Sequence, residues 1–287
     1  MGLLEADVAN DVTTADFTIH YNEAGPADGV PVILLHGGGP GATGWSNYNP
    51  NIGALADAGL RVIAPDLPGW GGSSEVDFLA YEPLDAVCQL MDALGIAKAA
   101  FVGNSMGGHT SIRMAIERPE RVSHLITMGA PLQLTPFLFG ATGPSEGIKI
   151  MYAGYSDYSP EAMKRLVEIM VFDGARFATP ELCQQRSDAV AARPQHVANV
   201  AKAGIRGPIP KWADLGRLGE ITAPALLIHG RDDRVVGFEG TLYASARIPD
   251  SRVHIINRCG HWAQLEHADE FNRLVTDFVL HHGTGQQ

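Results

Sequence analysis

Hydrophobic positions follow two patterns that alternate along the first half of the chain. Short runs of branched and small apolar side chains are typical of buried strands, and they predict strands at residues 17–21, 32–36, 61–64, 100–103 and 123–128. Apolar residues at helical spacing predict helices at 84–94 and 106–117, and Pro119 ends the second helix. This alternation indicates an α/β fold with a mostly parallel central sheet flanked by helices.

The pattern changes between residues 134 and 210, where helices are predicted without intervening strands. Ser159-Pro160 and Thr179-Pro180 each place a capping hydroxyl before a proline at the first helical position. The strand rhythm returns at 225–229 and 253–256, and an amphipathic helix is predicted at 269–280. We therefore expect an α/β core formed by residues 1–133 and 211–287, interrupted by a helical lid at 134–210.

Composition and charge narrow the class of protein. The 287 residues are 45% hydrophobic and 18% charged, as in an ordinary globular protein, and the net charge of -11 argues against a nucleic-acid partner. An anionic substrate would therefore need a local cation. Cys88, Cys183 and Cys259 are odd in number and far apart in sequence, so they form neither a full disulfide framework nor a CxxC metal knuckle. With no secretory signal or membrane-length apolar run, a cytoplasmic protein without a membrane partner is expected.

The strongest chemical signal is Gly103-Asn104-Ser105-Met106-Gly107, which directly follows one predicted strand and precedes a helix. This is the G-x-S-x-G nucleophile elbow, in which a strained turn projects the serine outward. The glycines let strand and helix approach closely, and the helix N-terminus stabilises negative charge that develops near Ser105. The alternative is a glycine-rich turn without chemistry.

A serine nucleophile needs a base, and the base needs an orienting carboxylate. Asp233 follows the predicted strand 225–229 and is the choice for the acid, with Asp232 as its rival. Among eleven histidines, His261 is the best base, because it lies in a loop after the last strand and downstream of the acid. Turn formation by the two aspartates, with Arg231 or Arg234, is the alternative.

A second glycine cluster, at residues 36–41, also follows a predicted strand. It corresponds to an HGGG-type oxyanion loop, whose bare backbone lets an N–H group reach a tetrahedral oxyanion. The backbone N–H groups of Gly38 and Met106 are the predicted donors. A phosphate-binding loop is less well supported, because no Lys-Ser/Thr pair follows the glycines.

These motifs together resemble those of the carbon–carbon bond hydrolases that cleave ring-opened meta-cleavage products of aromatic catabolism, enzymes with the α/β-hydrolase fold. The resemblance spans nearly the whole chain. Its most specific segments are HGGGPGA at 36–42, GWSN at 44–47, GNSMGG at 103–108, CGHWAQ at 259–264 and EHADEFNR at 266–273. They separate this group from generic esterases.

The resemblance implies a small anionic substrate of the 2-hydroxy-6-oxohexa-2,4-dienoate type and no metal or organic cofactor. In the family mechanism the dienol first becomes a keto tautomer. The serine, deprotonated by the histidine, then attacks the distal ketone, and carbon–carbon cleavage releases a hydroxypentadienoate and leaves an acyl-enzyme for water to hydrolyse.

The resemblance also implies the residues that hold the dienoate end. Arg186 would bind its carboxylate, with Gly39, Asn47, Asn104 and Trp262 around it, since a planar guanidinium suits a carboxylate with a neighbouring oxo group. The alternatives are a solvated Arg186 on the lid, like its other cations, and a Trp262 that only packs.

The group at the ketone end is left open. The lid residues that would shape its pocket, or only pack against the core, are Phe137, Phe139, Met151, Tyr152 and Tyr155. Two other functions stay open: a carboxylesterase that uses the same triad, and a ligand receptor on the hydrolase fold. The oligomeric state is also open, with a homodimer or a larger homo-oligomer among the expectations.

Overall fold

One twisted sheet organises the protein, whose computed structural model describes residues 2–133, 144–204, 209 and 211–282. Within these residues the sheet order is β1-β2-β4-β3-β5-β6-β7-β8. The strands are β1 Ala9–Thr13, β2 Thr18–Ala24, β3 Val30–Leu35, β4 Leu60–Pro65, β5 Ala99–Asn104, β6 Val122–Met128, β7 Ala225–Gly230 and β8 Ser251–Ile256. From β4 to β8 along this order all neighbours are parallel, and β1 and β2 add an antiparallel edge. The predicted mostly parallel sheet is confirmed.

Helices connect the strands and fill the segment between β6 and β7. They are α1 Gly44–Asp57, α2 Pro83–Ala93, α3 Met106–Glu117, α4 Glu146–Ala153, α5 Pro160–Met170, α6 Gly174–Phe177, α7 Pro180–Ala191, α8 Pro194–Ala203, α9 Glu239–Ser245, α10 Ala263–Glu266 and α11 Ala268–His281. Short 3-10 turns lie at Glu5–Asp7, Pro119–Arg121 and Leu215–Glu220. None of the described helices is both long enough and apolar enough to cross a bilayer.

The central strands are apolar on both faces because helices cover both. In β3, Ile33 and Leu35 pack into the cluster that contains α2 and α3 side chains, whereas Val32 and Leu34 pack into the cluster with α1 and α11. All four are fully buried. A strand covered on both sides reads as a continuous hydrophobic run, which is why these strands were predictable.

Every predicted strand is present, with ends shifted by at most three residues, but β1, α1, α9 and α10 were not predicted. β1 is a mostly exposed edge strand and lacks a hydrophobic pattern. α1 contains Pro50 and several Gly and Asn residues, which disfavour a helix. Its buried side chains Tyr48, Ile52 and Leu55 pack on the sheet, and this tertiary packing overrides the weak local preference.

The segment between β6 and β7, described for residues 144–204, is called the helical insertion below. It contains α4 to α8, and α5 and α7 begin at the predicted prolines, capped by Ser159 and Thr179. Its side chains contact the loops that follow β3, β4 and β7, for example through bonds of Arg186 to Pro40 and of Ser145 to Val235. The predicted lid boundaries at 134 and 210 lie outside the described residues.

Candidate active site

Ser105 occupies the tight turn between β5 and α3. Its backbone has φ 51° and ψ -117°, a region that residues with a side chain rarely adopt. The Ser105 N–H donates to the carbonyl of Met128 at 2.8 Å, and its own carbonyl accepts from His109 N–H at 2.9 Å. The surrounding backbone therefore fixes this strained conformation, as expected of a nucleophile elbow.

Glycine is required on both sides of Ser105. A Cβ at Gly103 would collide with the backbone of Gly107, and a Cβ at Gly107 would collide with the carbonyl of Leu35. β3 and β5 pair Leu35 with Gly103, so the end of β3, the elbow and the start of α3 meet at one point. Only residues without a side chain allow this approach.

His261 and Asp233 come together from the loops after β8 and β7. His261 Nδ1 donates to Asp233 Oδ2 at 2.7 Å, and His261 N–H donates to the carbonyl of Met170 at 2.6 Å. Gly129, at φ 55°, makes room for the pair, because a Cβ there would lie 2.8 Å from His261 Nδ1. Among the hydrogen bonds of the described residues none joins Ser105 Oγ to His261 Nε2, but both side chains line the same cavity.

Asp233 is a buried carboxylate that accepts hydrogen bonds at both oxygens. Oδ1 accepts from the N–H groups of Val235 and Val236, at 2.8 and 2.9 Å, and Oδ2 lies 3.1 Å from His229 Nε2 in addition to its bond with His261. Burial by itself would raise the pKa of Asp233, but the charge of His261 and the hydrogen bonds from His229 and His261 hold it well below the usual range. Asp233 is therefore ionised and accepts only.

His229 was assigned no role from the sequence, yet it supports Asp233 from inside the sheet. Its Nε2 faces two acceptors, Asp233 Oδ2 and the Val236 carbonyl at 2.9 Å, so Nε2 carries the proton. Its Nδ1 then accepts from Thr241 Oγ1 at 2.7 Å. Sequence reasoning missed this role, because nothing in the pattern of β7 distinguishes His229 from any other buried residue of the strand.

Asp232, the rival acid, lies elsewhere. Its Oδ2 accepts from the N–H of Arg258 at 3.0 Å, its Oδ1 lies 3.4 Å from Arg231, and its side chain is 29% exposed. Arg234 donates instead to the carbonyls of Glu168 and Val171. The Asp232 side chain thus has the ordinary role of stabilising the loop after β8.

A cavity between the carboxyl ends of the central strands and the helical insertion brings most of the predicted site residues together. Ser105, His261, Arg186 and Trp262 share it with backbone of the glycine loop. Its lining residues are Gly37, Gly38, Gly39, Ala42, Asn47, Asn104, Ser105, Met151, Met170, Arg186, His261 and Trp262. Asp233 lies behind His261, and Met106 is the first residue of α3, where a backbone N–H has no partner within the helix.

The glycine loop after β3 is fixed from behind by His36. Nε2 of this buried side chain accepts from the Leu67 N–H at 2.9 Å, so Nδ1 carries the proton that is donated to the Gly37 carbonyl at 2.7 Å. Burial lowers the pKa of His36, although Asp66 and the Gly37 bond oppose this, and the ring stays neutral. In a planar trans peptide the Gly38 N–H points opposite to the Gly37 carbonyl, which turns it away from His36.

Arg186 is 4% exposed and has no carboxylate partner among the described residues. Its Nη2 donates to the Pro40 carbonyl at 2.6 Å, its guanidinium lies 5.0 Å from the Trp262 ring centroid, and its buried Nε has no partner. Burial lowers the pKa of Arg186 to about 10, although Tyr155 and Cys183 oppose this. The parts of the predicted lid that lie outside the described residues, 134–143, 205–208 and 210, contain no Asp or Glu that could supply a counter-ion. The arrangement is a buried cation without a counter-ion, suited to an anionic ligand.

Asn47 and Asn104 each hold a backbone segment that borders the cavity. Asn47 Oδ1 accepts from the Gly37 N–H at 3.2 Å, and Asn104 Nδ2 donates to the carbonyl of His261 at 3.1 Å. Asn104 Oδ1 is buried and has no hydrogen-bond partner within the described part of the chain, and a Cβ at Gly37 would lie 3.0 Å from it. Each side chain thus combines a structural bond with a place on the cavity wall.

The residues expected to shape the ketone end divide into three groups. Met151 lines the cavity, joined by Met170, which the sequence did not single out. Tyr155 lies behind the glycine loop, where its hydroxyl donates to the Gly38 carbonyl at 2.8 Å, and Tyr152 packs at the edge of the core. Phe137 and Phe139 lie outside the described residues.

Comparison with known proteins adds a family to this geometry. Residues 32–274 match the Alpha/beta hydrolase family. The chain is 47% identical over 268 residues to a 2-hydroxy-6-oxo-6-phenylhexa-2,4-dienoate hydrolase of Comamonas testosteroni, covering 92% of both chains. It is 44% identical over 273 residues to a 2-hydroxy-6-oxononadienedioate/2-hydroxy-6-oxononatrienedioate hydrolase of the same species, covering 94% of both.

A solved structure gives the same picture. The chain resembles a meta-cleavage product hydrolase from Pseudomonas fluorescens IP01, solved in complex with acetates, with a TM-score of 0.83 and 31% identity over 96% of this chain and 98% of the other. The fold expected from the sequence is thereby confirmed.

Proposed function

Because the chain belongs to the alpha/beta hydrolase family, and within it to the meta-cleavage product hydrolases, we propose a division of labour among its residues in cleaving a carbon–carbon bond. The protein is a hydrolase of 2-hydroxy-6-oxohexa-2,4-dienoate-type meta-cleavage products of aromatic degradation. Its nucleophile is Ser105, its base His261 and its orienting acid Asp233. The observation that carries the assignment of substrate to site is Arg186, a buried cation without a counter-ion on the same cavity wall as Ser105 and His261.

The reaction begins with a proton shift within the substrate. Moving the proton of the 2-hydroxyl to C5 gives a 2,6-dioxo tautomer with its remaining double bond between C3 and C4. This places a saturated carbon between the double bond and the 6-ketone. The tautomer matters because the electron pair released from the C5–C6 bond can then pass through C4 and C3 to the 2-oxo oxygen.

Cleavage then follows acyl-transfer chemistry. Ser105 Oγ attacks C6 while its proton passes to His261 Nε2, and the ionised Asp233 stabilises the resulting imidazolium. The oxyanion on C6 accepts from the N–H groups of Gly38 and Met106, each worth about 3 kcal/mol in transition-state stabilisation. Breaking C5–C6 leaves an acyl group on Ser105 and forms a dienolate. The oxygen on C2 of the dienolate takes up the proton held by His261, which gives 2-hydroxypenta-2,4-dienoate and returns His261 to its neutral form. Water, deprotonated by His261, hydrolyses the ester at Ser105.

The dienoate carboxylate pairs with Arg186, which fixes the distance of C6 from Ser105. Trp262 lies under the guanidinium at 5.0 Å and holds its plane. Gly39, Asn47 and Asn104 complete the polar end of the cavity. A charge-assisted pair inside a buried site is worth more than the same pair in water, so the anion is held despite the net negative charge of the protein.

The helical insertion acts as the lid of this site, and the division into a core of residues 1–133 and 211–287 and a lid of 134–210 is part of the proposal. Arg186 comes from the insertion and Ser105 from the core. Closure of the two brings the anion and the nucleophile to one cavity and excludes water from the acyl-enzyme until the first product leaves.

A cytoplasmic location is likewise proposed. Cys88, Cys183 and Cys259 are free thiols, and burial raises the pKa of each, opposed in part by arginines near Cys88 and by Lys164 and Arg186 near Cys183. Protonated thiols of this kind fit a reducing compartment. A homodimer or larger assembly stays an expectation that light scattering after size-exclusion chromatography would measure.

The test is turnover of a yellow 2-hydroxy-6-oxo-6-phenylhexa-2,4-dienoate. We expect the visible absorbance to disappear with catalytic turnover and stoichiometric benzoate to form. A carboxylesterase would instead hydrolyse p-nitrophenyl acetate efficiently and leave the dienoate unchanged. A ligand receptor would bind the dienoate tightly without consuming it, and either result would contradict the proposal.

A further inference from the structure

The glycine loop at residues 37–40 is fixed at every carbonyl. The four donors are His36 Nδ1 to Gly37 at 2.7 Å, Tyr155 hydroxyl to Gly38 at 2.8 Å, Ala42 N–H to Gly39 at 3.1 Å and Arg186 Nη2 to Pro40 at 2.6 Å. Two of these donors belong to the helical insertion rather than to the core. The conformation of residues 38–40 therefore depends on how the helical insertion packs against the core.

Tyr155 controls one peptide group in particular. In a planar trans peptide the N–H of a residue points opposite to the carbonyl of the preceding residue. The bond from Tyr155 to the Gly38 carbonyl thus turns the Gly39 N–H away from Tyr155. Gly39 lines the cavity and Tyr155 does not, so this N–H is turned towards the cavity side of the loop.

The Gly39 peptide lies beside the buried cation. A Cβ built on Gly39 would be 3.9 Å from Arg186 Nη2, which is ordinary contact distance. A ligand carboxylate paired with Arg186 would therefore lie within reach of a backbone N–H at this position. Backbone N–H groups and guanidinium nitrogens together form a directional anion site that a guanidinium alone does not provide.

The Tyr155 side chain is itself held firmly. It is 6% exposed, and its ring packs on the ring of His196 from α8 at a centroid distance of 5.5 Å. His196 in turn packs on Trp70 of the core at 4.9 Å. Burial raises the pKa of Tyr155 far above its usual range, with only partial opposition from Trp70 and Arg186, so the hydroxyl stays protonated and able to donate.

We propose that Tyr155 is a positioning residue that aims the Gly39 N–H at the carboxylate end of the dienoate, so that the insertion supplies the anion site both directly, through Arg186, and indirectly, through the loop. The inference rests on the proposed function. It makes binding of the anionic end depend on a hydrogen bond that touches no substrate atom. The oxyanion donor Gly38 N–H belongs to the preceding peptide, whose Gly37 carbonyl accepts from His36 of the core, so the bond-making centre has its own support.

The test compares Tyr155→Phe with wild type and with Tyr158→Phe, a matched change at a tyrosine of the insertion that is 38% exposed. Three quantities are measured: kcat and KM for the dienoate, the inhibition constant of 2-oxopentanoate, and the rate of p-nitrophenyl acetate hydrolysis. 2-Oxopentanoate carries the carboxylate and oxo group but has no scissile bond. The acetate ester has neither group and needs only the triad and the oxyanion hole.

For Tyr155→Phe we expect the 2-oxopentanoate inhibition constant to rise about tenfold and kcat/KM for the dienoate to fall about tenfold, the loss typical of one buried hydrogen bond. The ester rate should stay within about twofold of wild type. Tyr158→Phe should change none of these quantities.

Two results would overturn the inference. One is an unchanged inhibition constant in Tyr155→Phe. The other is a parallel loss of ester and dienoate activity, which would assign Tyr155 to folding alone, since the ester rate reports the folded fraction of the same sample. A wild-type enzyme that hydrolyses the ester but not the dienoate would contradict the proposed function instead, and the inhibition constants would still decide the role of Tyr155.

Discussion

The two walls of the cavity are built by different rules. One wall is formed by the carboxyl ends of the central strands and the loops that follow them, and is called the sheet wall below. On it, Asp233 accepts hydrogen bonds from four donors, and the Ser105 backbone is fixed by bonds of both its N–H and its carbonyl. On the wall formed by the insertion, called the insertion wall below, Arg186 has no counter-ion among the described residues, and its Nε has no hydrogen-bond partner among them. The carboxylate of the first wall is therefore paired within the protein, whereas the cation of the second wall is paired only when an anion binds.

This difference separates chemistry from recognition. A complete, rigid wall presents the nucleophile and the oxyanion donors in the same way to any acyl group. An incomplete wall favours ligands that supply the missing charge, because a buried cation gains most when it is paired. Changes in the sheet wall should therefore affect every substrate, and changes in the insertion wall should affect only anionic substrates.

Removing the nucleophile is the strongest test of the sheet wall. Ser105→Ala should lower kcat by about 10⁶-fold on both the dienoate and p-nitrophenyl acetate, because no other hydroxyl takes part in acyl transfer. The protein should still fold, since the elbow depends on its glycines, and 2-oxopentanoate should bind as in wild type. Loss of cooperative unfolding in a urea titration would assign Ser105 a structural role and contradict this division.

The acid is tested by a matched pair of neighbours. Asp233→Asn should lower kcat by about 10⁴-fold on both substrates, because an amide cannot hold His261 in the required tautomer. Asp232→Asn should leave kcat within about threefold of wild type, since in the described residues the Asp232 carboxylate contacts the Arg258 N–H and Arg231 rather than His261. Steady-state kinetics of the two variants would reverse the assignment if Asp232→Asn showed the larger loss.

The insertion wall is tested at its cation. Arg186→Met keeps the length of the side chain and removes its charge, and we expect kcat/KM for the dienoate to fall about 100-fold, as for loss of a charge-assisted pair. p-Nitrophenyl acetate hydrolysis should change by less than about threefold. Arg165→Met, at a cation of the same insertion whose side chain is 59% exposed, serves as the control. Equal losses on both substrates would remove the distinction between the walls.

The same contrast explains how much the sequence could predict. The fold and the sheet wall follow from local rules: buried strands show as apolar runs, and the elbow at Ser105 needs glycines at fixed positions. Arg186 obeys no local rule, because six other Lys and Arg residues between positions 144 and 204 look alike in sequence, and only the family resemblance singled it out. Tyr155 acts through a contact between segments far apart in sequence, and His229 acts on Asp233 without reaching the cavity itself. Neither kind of contact is visible in a sequence pattern.

α1 and Tyr155 also show why local preference fails where tertiary contacts decide. The Gly, Asn and Pro residues of α1 disfavour a helix, and only the buried face of Tyr48, Ile52 and Leu55 stabilises it. Tyr155 reads as an aromatic pocket residue, yet the structure directs its hydroxyl to the back of the glycine loop. In both cases the deciding partner lies in another part of the fold.

The smallest expected effect concerns the packing of the helical insertion against the core rather than the charge of Arg186. His196 of α8 is buried against Trp70, Phe78 and Tyr155, and neither ring nitrogen has a partner among the described residues. Burial, aided by Arg193 and His36, lowers the pKa of His196 to about 4. The unfolded chain, with the ordinary pKa near 6.5, then binds the proton more readily than the folded chain.

Stability should accordingly fall as the pH drops from about 6.5 towards 4, and at pH 5 this one group should cost about 2 kcal/mol relative to pH 7.5. His196→Phe keeps an aromatic ring and cannot take up a proton, so its free energy of unfolding, from urea titrations at the two pH values, should fall by about 2 kcal/mol less than that of wild type. His281→Gln, at an exposed histidine near the end of α11, should retain the wild-type pH dependence. If His196→Phe lost as much stability as wild type between the two pH values, the packing of the helical insertion on the core would not depend on a neutral His196.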